Sequence, residues 1–214
     1  MRRALIAFEI IIFFILCYYS FYLAFDYQTP HGRHDMPTVI WIIDTIDLFI
    51  HEGGHGIFRF FGQFLYFLGG SLIQFIIPIT TIIVFLRTSG LRSLMATLFW
   101  LGQNMINVSV YIADAPKQQL TLISKHALHD WRWLCNYMGI MDWSGELAGI
   151  VAFLGTLSLL GAIGVTVYFI VYDIRAEFFP APPPRLMPPG LHPRTRTFIP
   201  PIDKTPQENN TPEP

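Results

Sequence analysis

The chain is dominated by long apolar runs, five of which approach or exceed the length needed to cross a bilayer. A hydrocarbon core about 30 Å deep takes roughly 20 residues of helix, and the runs fall at residues 4–25, 38–60, 71–87, 93–113 and 147–172. In lipid a backbone must satisfy its own hydrogen bonds, so continuous runs of this kind fold as helices. The expected fold is all-α: a polytopic transmembrane helical bundle over residues 1–175, with an interfacial loop at 114–146. Five spans are counted, with four or six left open. Composition points the same way, since only 14% of residues are charged and 52% are apolar, against about 25% charge in soluble domains. That balance excludes a soluble globular enzyme and a wholly disordered chain. A net charge of −1 gives no electrostatic footprint for a phosphate backbone, so no nucleic-acid partner is expected. Cys17 and Cys135 are the only cysteines, which is neither a disulfide framework nor a zinc-ribbon pattern.

The first run follows Arg2 and Arg3, is longer than the apolar core of a signal peptide, and lacks an A-x-A-like cleavage site. It is expected to be retained as a span. At the other end, residues 176–214 carry 12 of the 16 prolines, the composition of a disordered tail. Basic residues near both ends favour the cytoplasmic side, which requires an even number of crossings. A count of five therefore means that one segment is re-entrant or that one end breaks the rule.

Inside the second run stands His51-Glu52-Gly53-Gly54-His55, an H-E-x-x-H. With 7 His and 6 Glu in the chain, chance would give roughly 0.006 such matches. On a helix, positions i and i+4 share a face, so both imidazoles can reach one zinc ion, and Glu52 is placed to take a proton from the water it activates. Ionisable groups inside a span are expensive and therefore functional candidates. Asp44, Asp47, His51 and His55 follow one another at spacings of 3, 4 and 4 and share one face. Asp47, one turn before His51, is expected to hold the second ring nitrogen of that histidine. A hydrolytic zinc needs a third protein ligand and an open position. The fourth run offers a polar stripe, Gln103, Asn107, Tyr111 and Asp114. Asp114 is the expected third ligand, with Asn107 and Tyr111 beside it to support the site or meet substrate. His129, in the stretch His126-Ala-Leu-His129-Asp130-Trp131, is the alternative third ligand. Against all of this stands a buried polar cluster that only packs helices together.

On these residues the chain resembles the intramembrane zinc metalloproteases of the site-2 protease type, in their small bacterial branch. H-E-x-x-H in a membrane helix and an aspartate on a later one carry that resemblance. The stretch from Asp47 to Asp130, with HEGGH, the LGGSLIQ run, NVSVYIADA and HDW, also looks like a group of bacterial membrane proteins. The resemblance covers about residues 45–175. It implies His51 and His55 as zinc ligands, Glu52 as general base, and Asp114 as third ligand by role only. The family sets that aspartate in N-x-x-P-x-x-D-G or L-D-G, whereas this chain reads Asn107-Val-Ser-Val-Tyr-Ile-Ala-Asp114-Ala. The resemblance further implies a bacterial inner-membrane protein that lies in the lipid bilayer and cleaves membrane-protein or peptide substrates. Two rivals stay open: a zinc hydrolase of lipids or other amphiphiles, and a non-catalytic polytopic membrane protein.

Overall fold

The computed structural model describes residues 2–27, 36–120 and 128–179. The proline-rich tail expected at 176–214 therefore lies, from residue 180 on, outside the described residues. Among those described there are six α-helices and no strand: α1 Arg2–Phe25, α2 Thr38–Phe58, α3 Gln63–Thr88, α4 Leu94–Ala113, α5 Asp130–Met138 and α6 Ser144–Phe178. The all-α expectation holds. Three segments are long and apolar enough to cross a membrane: Arg2–Phe25, Gln63–Thr88 and Met141–Phe178. The two further spans read from the sequence, at 38–60 and 93–113, form α2 and α4, which are about 30 Å long at 1.5 Å per residue. Asp44, Asp47 and Glu52 in α2, and Gln103, Asn104 and Asn107 in α4, set these two apart from the apolar three.

The elements follow from local chemistry. Pro37 immediately precedes α2, a place where its missing N–H costs nothing. Gly62, at φ 92°, lets the chain reverse into α3. The sequence reading started the third span at residue 71, taking Gly69-Gly70 as a break. Instead α3 runs unbroken from Gln63 through both glycines and Pro78 to Thr88. Those glycines serve packing rather than interruption, because a Cβ on Gly70 would lie 2.4–2.7 Å from the His51 ring. The interfacial loop expected at 114–146 contains the short helix α5, which ends on Gly139 in the left-handed conformation.

Large side chains point outward: Phe14 is 66% exposed, Phe49 73% and Phe153 61%. The interior holds small and polar groups alongside aliphatic ones, among them Asp47, Gln103, Asn104 and Thr166, all at 0% exposure. That arrangement suits a lipid surround, where close packing and interhelical polar contacts replace an oily core. At one end of the bundle, Arg2 Nη1 donates to Ala176 O at 3.0 Å and Arg3 Nε to Glu177 at 2.8 Å. Arg92, just before α4, pairs there with Glu9 and Asp173. The outer ends of α1 and α6 therefore coincide, as an even number of crossings requires. Along the bundle α2 packs antiparallel to α3, with His51 against Gln74 and His55 against Tyr66.

Candidate metal centre

Three side chains from two helices converge near the end of the bundle opposite Arg2. His51 and His55 lie one turn apart on α2, and Asp130 opens α5. His51 Nε2 is 2.9 Å from Asp130 Oδ2, and His55 Nε2 is 3.2 Å from the same oxygen. One ligand atom from each residue lies within 4.8 Å of the others, and all three residues are buried. Around a tetrahedral ion with bonds of about 2.0–2.1 Å, ligand atoms sit roughly 3.3 Å apart. The spacing here matches that scale.

The outer nitrogens decide the chemistry. His51 Nδ1 is 2.8 Å from Gln74 Oε1, and His55 Nδ1 is 2.7 Å from the Tyr66 backbone carbonyl. Both oxygens can only accept, so each Nδ1 carries the proton and donates it. Each neutral ring then turns an unprotonated Nε2 toward the Asp130 carboxylate. Three lone-pair atoms face a common point, an arrangement that repels itself until a positive charge enters. The described residues bring no lysine or arginine to that point, so the set fits a cation held by two imidazoles and a carboxylate. Burial works against the ionised form of Asp130, but when the rings gain a second proton, at Nε2, their hydrogen bonds and charge outweigh it and hold its carboxyl below the usual range. Tyr111 adds its hydroxyl, donated to Asp130 Oδ2 at 3.2 Å, and its ring packs edge-on to His51.

The residues expected at the site divide. His51, His55 and Tyr111 come together. Glu52 follows His51 on the exposed side of α2 and makes no side-chain hydrogen bond among the described residues, while its charge is felt by His55 and Tyr111. Asp114, the expected third ligand, is elsewhere: its carboxylate accepts the backbone N–H of Gln119 at 2.8 Å and of Leu120 at 3.0 Å, and lies 3.3 Å from His129 Nε2. His129, the alternative, has no free lone pair to offer. Its Nδ1 accepts from Arg132 N at 3.2 Å as the cap of α5, leaving Nε2–H to face Asp114. Burial keeps the His129 ring below the ordinary histidine pKa despite Asp114 beside it. The pair Asp114–His129 thus anchors the start of α5 and presents the next residue, Asp130, to the two histidines.

Asp47 does not hold His51 either. Its Oδ1 accepts from Trp100 Nε1 at 3.0 Å and from Asn104 Nδ2 at 3.3 Å, and Gln74 takes the place assigned to it. Asn107 stands behind the site: it donates to Tyr27 Oη at 2.6 Å, and its Oδ1 lies 3.4 Å from Gln74 Nε2. Sequence reasoning missed Asp130 because it read residues 114–146 as an interfacial loop and took His129 as the ligand candidate of that stretch. The signal available was its place in the His129-Asp130-Trp131 stretch. No protein-family model, curated protein or solved structure matches the chain.

Proposed function

We propose that the chain is a membrane-embedded zinc hydrolase that cleaves peptide bonds in membrane-protein or peptide substrates. One observation carries the reading: two imidazole Nε2 atoms and a carboxylate oxygen converge while both Nδ1 atoms are tied to carbonyl oxygens. Two histidines and one carboxylate are the ligand set of hydrolytic zinc, which keeps a fourth position for water or substrate. The H-E-x-x-H register and the resemblance to site-2 proteases support the same assignment. A zinc ion in such a set supplies Lewis acidity and a water of lowered pKa.

The chain's own residues do the rest. Gln74 and the Tyr66 carbonyl fix the two imidazoles in one tautomer, which removes the orientational freedom that would blunt the site. Glu52, adjacent to His51, takes a proton from the attacking water at its carboxylate and returns it to the leaving amine. Tyr111 holds the Asp130 carboxylate and stands beside His51, where its hydroxyl meets substrate. Burial of the three converging residues keeps bulk water out and strengthens every charge in the site.

Purified protein in detergent tests this directly. Wild type should hold about one zinc per chain and cleave a transmembrane peptide. Glu52→Gln should keep the zinc and lose about 10²–10⁴-fold in rate, the range for removing a general base. Absence of bound zinc in the wild type sinks the reading. Turnover of a lipid amide or ester with no peptide cleavage moves the activity to amphiphile substrates.

A further inference from the structure

A second polar centre lies farther along α2, inside the bundle, and takes no part in the chemistry above. Asp44 and Asp47 enter it from α2, Trp100, Gln103, Asn104 and Asn107 from α4, and Tyr27 from just beyond α1. Asp44 accepts from Tyr27 Oη–H at 2.8 Å and from Gln103 Nε2 at 2.6 Å, one donor on each oxygen. Asp47 Oδ1 accepts from Trp100 and Asn104. Asp47 Oδ2 has neither a hydrogen-bond partner nor access to solvent, and the residue is 0% exposed.

Three of four carboxylate oxygens are therefore satisfied by neutral donors, and the fourth is bare. The titratable groups that face Asp47 among the described residues are Asp44 and, one turn along α2, His51, whose ring nitrogens are engaged by Gln74 and Asp130. From α4 the facing side chains are uncharged, and Tyr27 keeps its proton to donate to Asp44. Two carboxylates left ionised in such surroundings carry a desolvation penalty that hydrogen bonds from neutral groups do not cancel. A small positive charge at the bare oxygen removes it.

We propose that this centre binds one monovalent cation, a proton or a sodium ion, at Asp47 Oδ2. Either one brings a compact positive charge to the same oxygen, covalently as O–H for the proton and electrostatically for sodium, with the second carboxylate close by. The site is separate from the metal centre, although Gln74 borders both, its Oε1 toward His51 and its Nε2 3.5 Å from Asn104 Oδ1.

The test is thermal unfolding of the full chain in detergent, with sodium chloride titrated against choline chloride at constant ionic strength, at several pH values. For sodium, the midpoint should rise by on the order of 5 °C from low to saturating sodium, and Asp47→Asn should lose that rise. For a proton, the midpoint should ignore sodium. The folded state would then hold a proton that the unfolded chain releases, so stability should fall as pH rises, and the difference between wild type and Asp47→Asn should carry that slope. Identical sodium and pH responses in wild type and Asp47→Asn overturn the proposal. Should the variant not fold, two measurements on wild type decide: saturable binding of radiolabelled sodium, or the infrared carbonyl stretch of a buried carboxylic acid. Absence of both overturns it equally.

Discussion

Asp47 and His51 stand one turn apart on the same face of α2, and their surroundings differ in one respect. Around His51, donors point away from the centre and lone pairs point into it, because Gln74 and the Tyr66 carbonyl claim the ring N–H groups. Around Asp47 and Asp44, donors point in: Tyr27, Trp100, Gln103 and Asn104 each turn an O–H or N–H toward a carboxylate. A centre lined by lone pairs selects a divalent, Lewis-acidic ion that can accept several of them. A centre already lined by donors has room for one small charge. Residue type alone does not separate these cases, since each centre sets a buried carboxylate beside polar side chains of α2; the direction of the second hydrogen bond does.

The largest effect that would break this comparison is at Asp130. Asp130→Asn removes the one carboxylate among the described residues that is aimed at the two histidines, and should abolish zinc retention through gel filtration, read by elemental analysis. Asp114→Asn should retain zinc with affinity weakened by no more than about 10–100-fold, the range for residues that orient a ligand rather than bind. The reverse result, with zinc lost at Asp114 and kept at Asp130, would return Asp114 to the ligand set. Next in size is Gln74→Leu. It leaves the His51 Nδ1–H buried without an acceptor, and zinc affinity measured by chelator competition should drop by about 10–100-fold. Asp47→Asn should leave that affinity within about threefold. If the two variants respond alike, the centres are not chemically distinct.

Gly70→Ala probes packing rather than ligation. The new Cβ would meet three atoms of the His51 ring at 2.4–2.7 Å, and the ring is already fixed at both nitrogens. Overpacking of this kind costs about 1–3 kcal/mol, which thermal unfolding in detergent would read, and zinc affinity should fall with it. Gly53→Ala is the control, because a Cβ there has nothing within 4 Å.

The helices were legible in the sequence because lipid demands long apolar runs: α1 and α4 end where those runs do, and α6 continues six residues past its run, from 172 to Phe178. The start of α3 was not, since Gly69 and Gly70 break isolated helices, yet here they admit Phe58 and His51 from α2. His51 and His55 were legible because their partnership is local, fixed by four residues of helix. Asp130 was not, because it is 79 residues from His51 and its approach depends on the anchor between His129 and Asp114. Polarity of α4 was read correctly as a stripe, but its target was not. Gln103 and Asn104 face the acids of α2, and of the stripe read from the sequence Tyr111 is the member that touches the candidate metal ligands.

The smallest expected effect concerns Asp44, and it sharpens the contrast most finely. Both its oxygens are satisfied, by Tyr27 and by Gln103, so Asp44→Asn exchanges one accepting oxygen for an NH₂ that must find an acceptor. Tyr27 Oη can turn to accept, since Asn107 Nδ2 already shows that this oxygen receives hydrogen bonds. The lost hydrogen bond is worth about 0.5–1.5 kcal/mol, and it is opposed by removal of a negative charge buried beside Asp47. The two terms are of similar size and opposite sign, so stability should change by less than about 1 kcal/mol. Zinc affinity should not move measurably, because no described contact joins Asp44 to His51, His55 or Asp130. A drop in zinc affinity equal to that of Gln74→Leu would mean that the two centres act as one network.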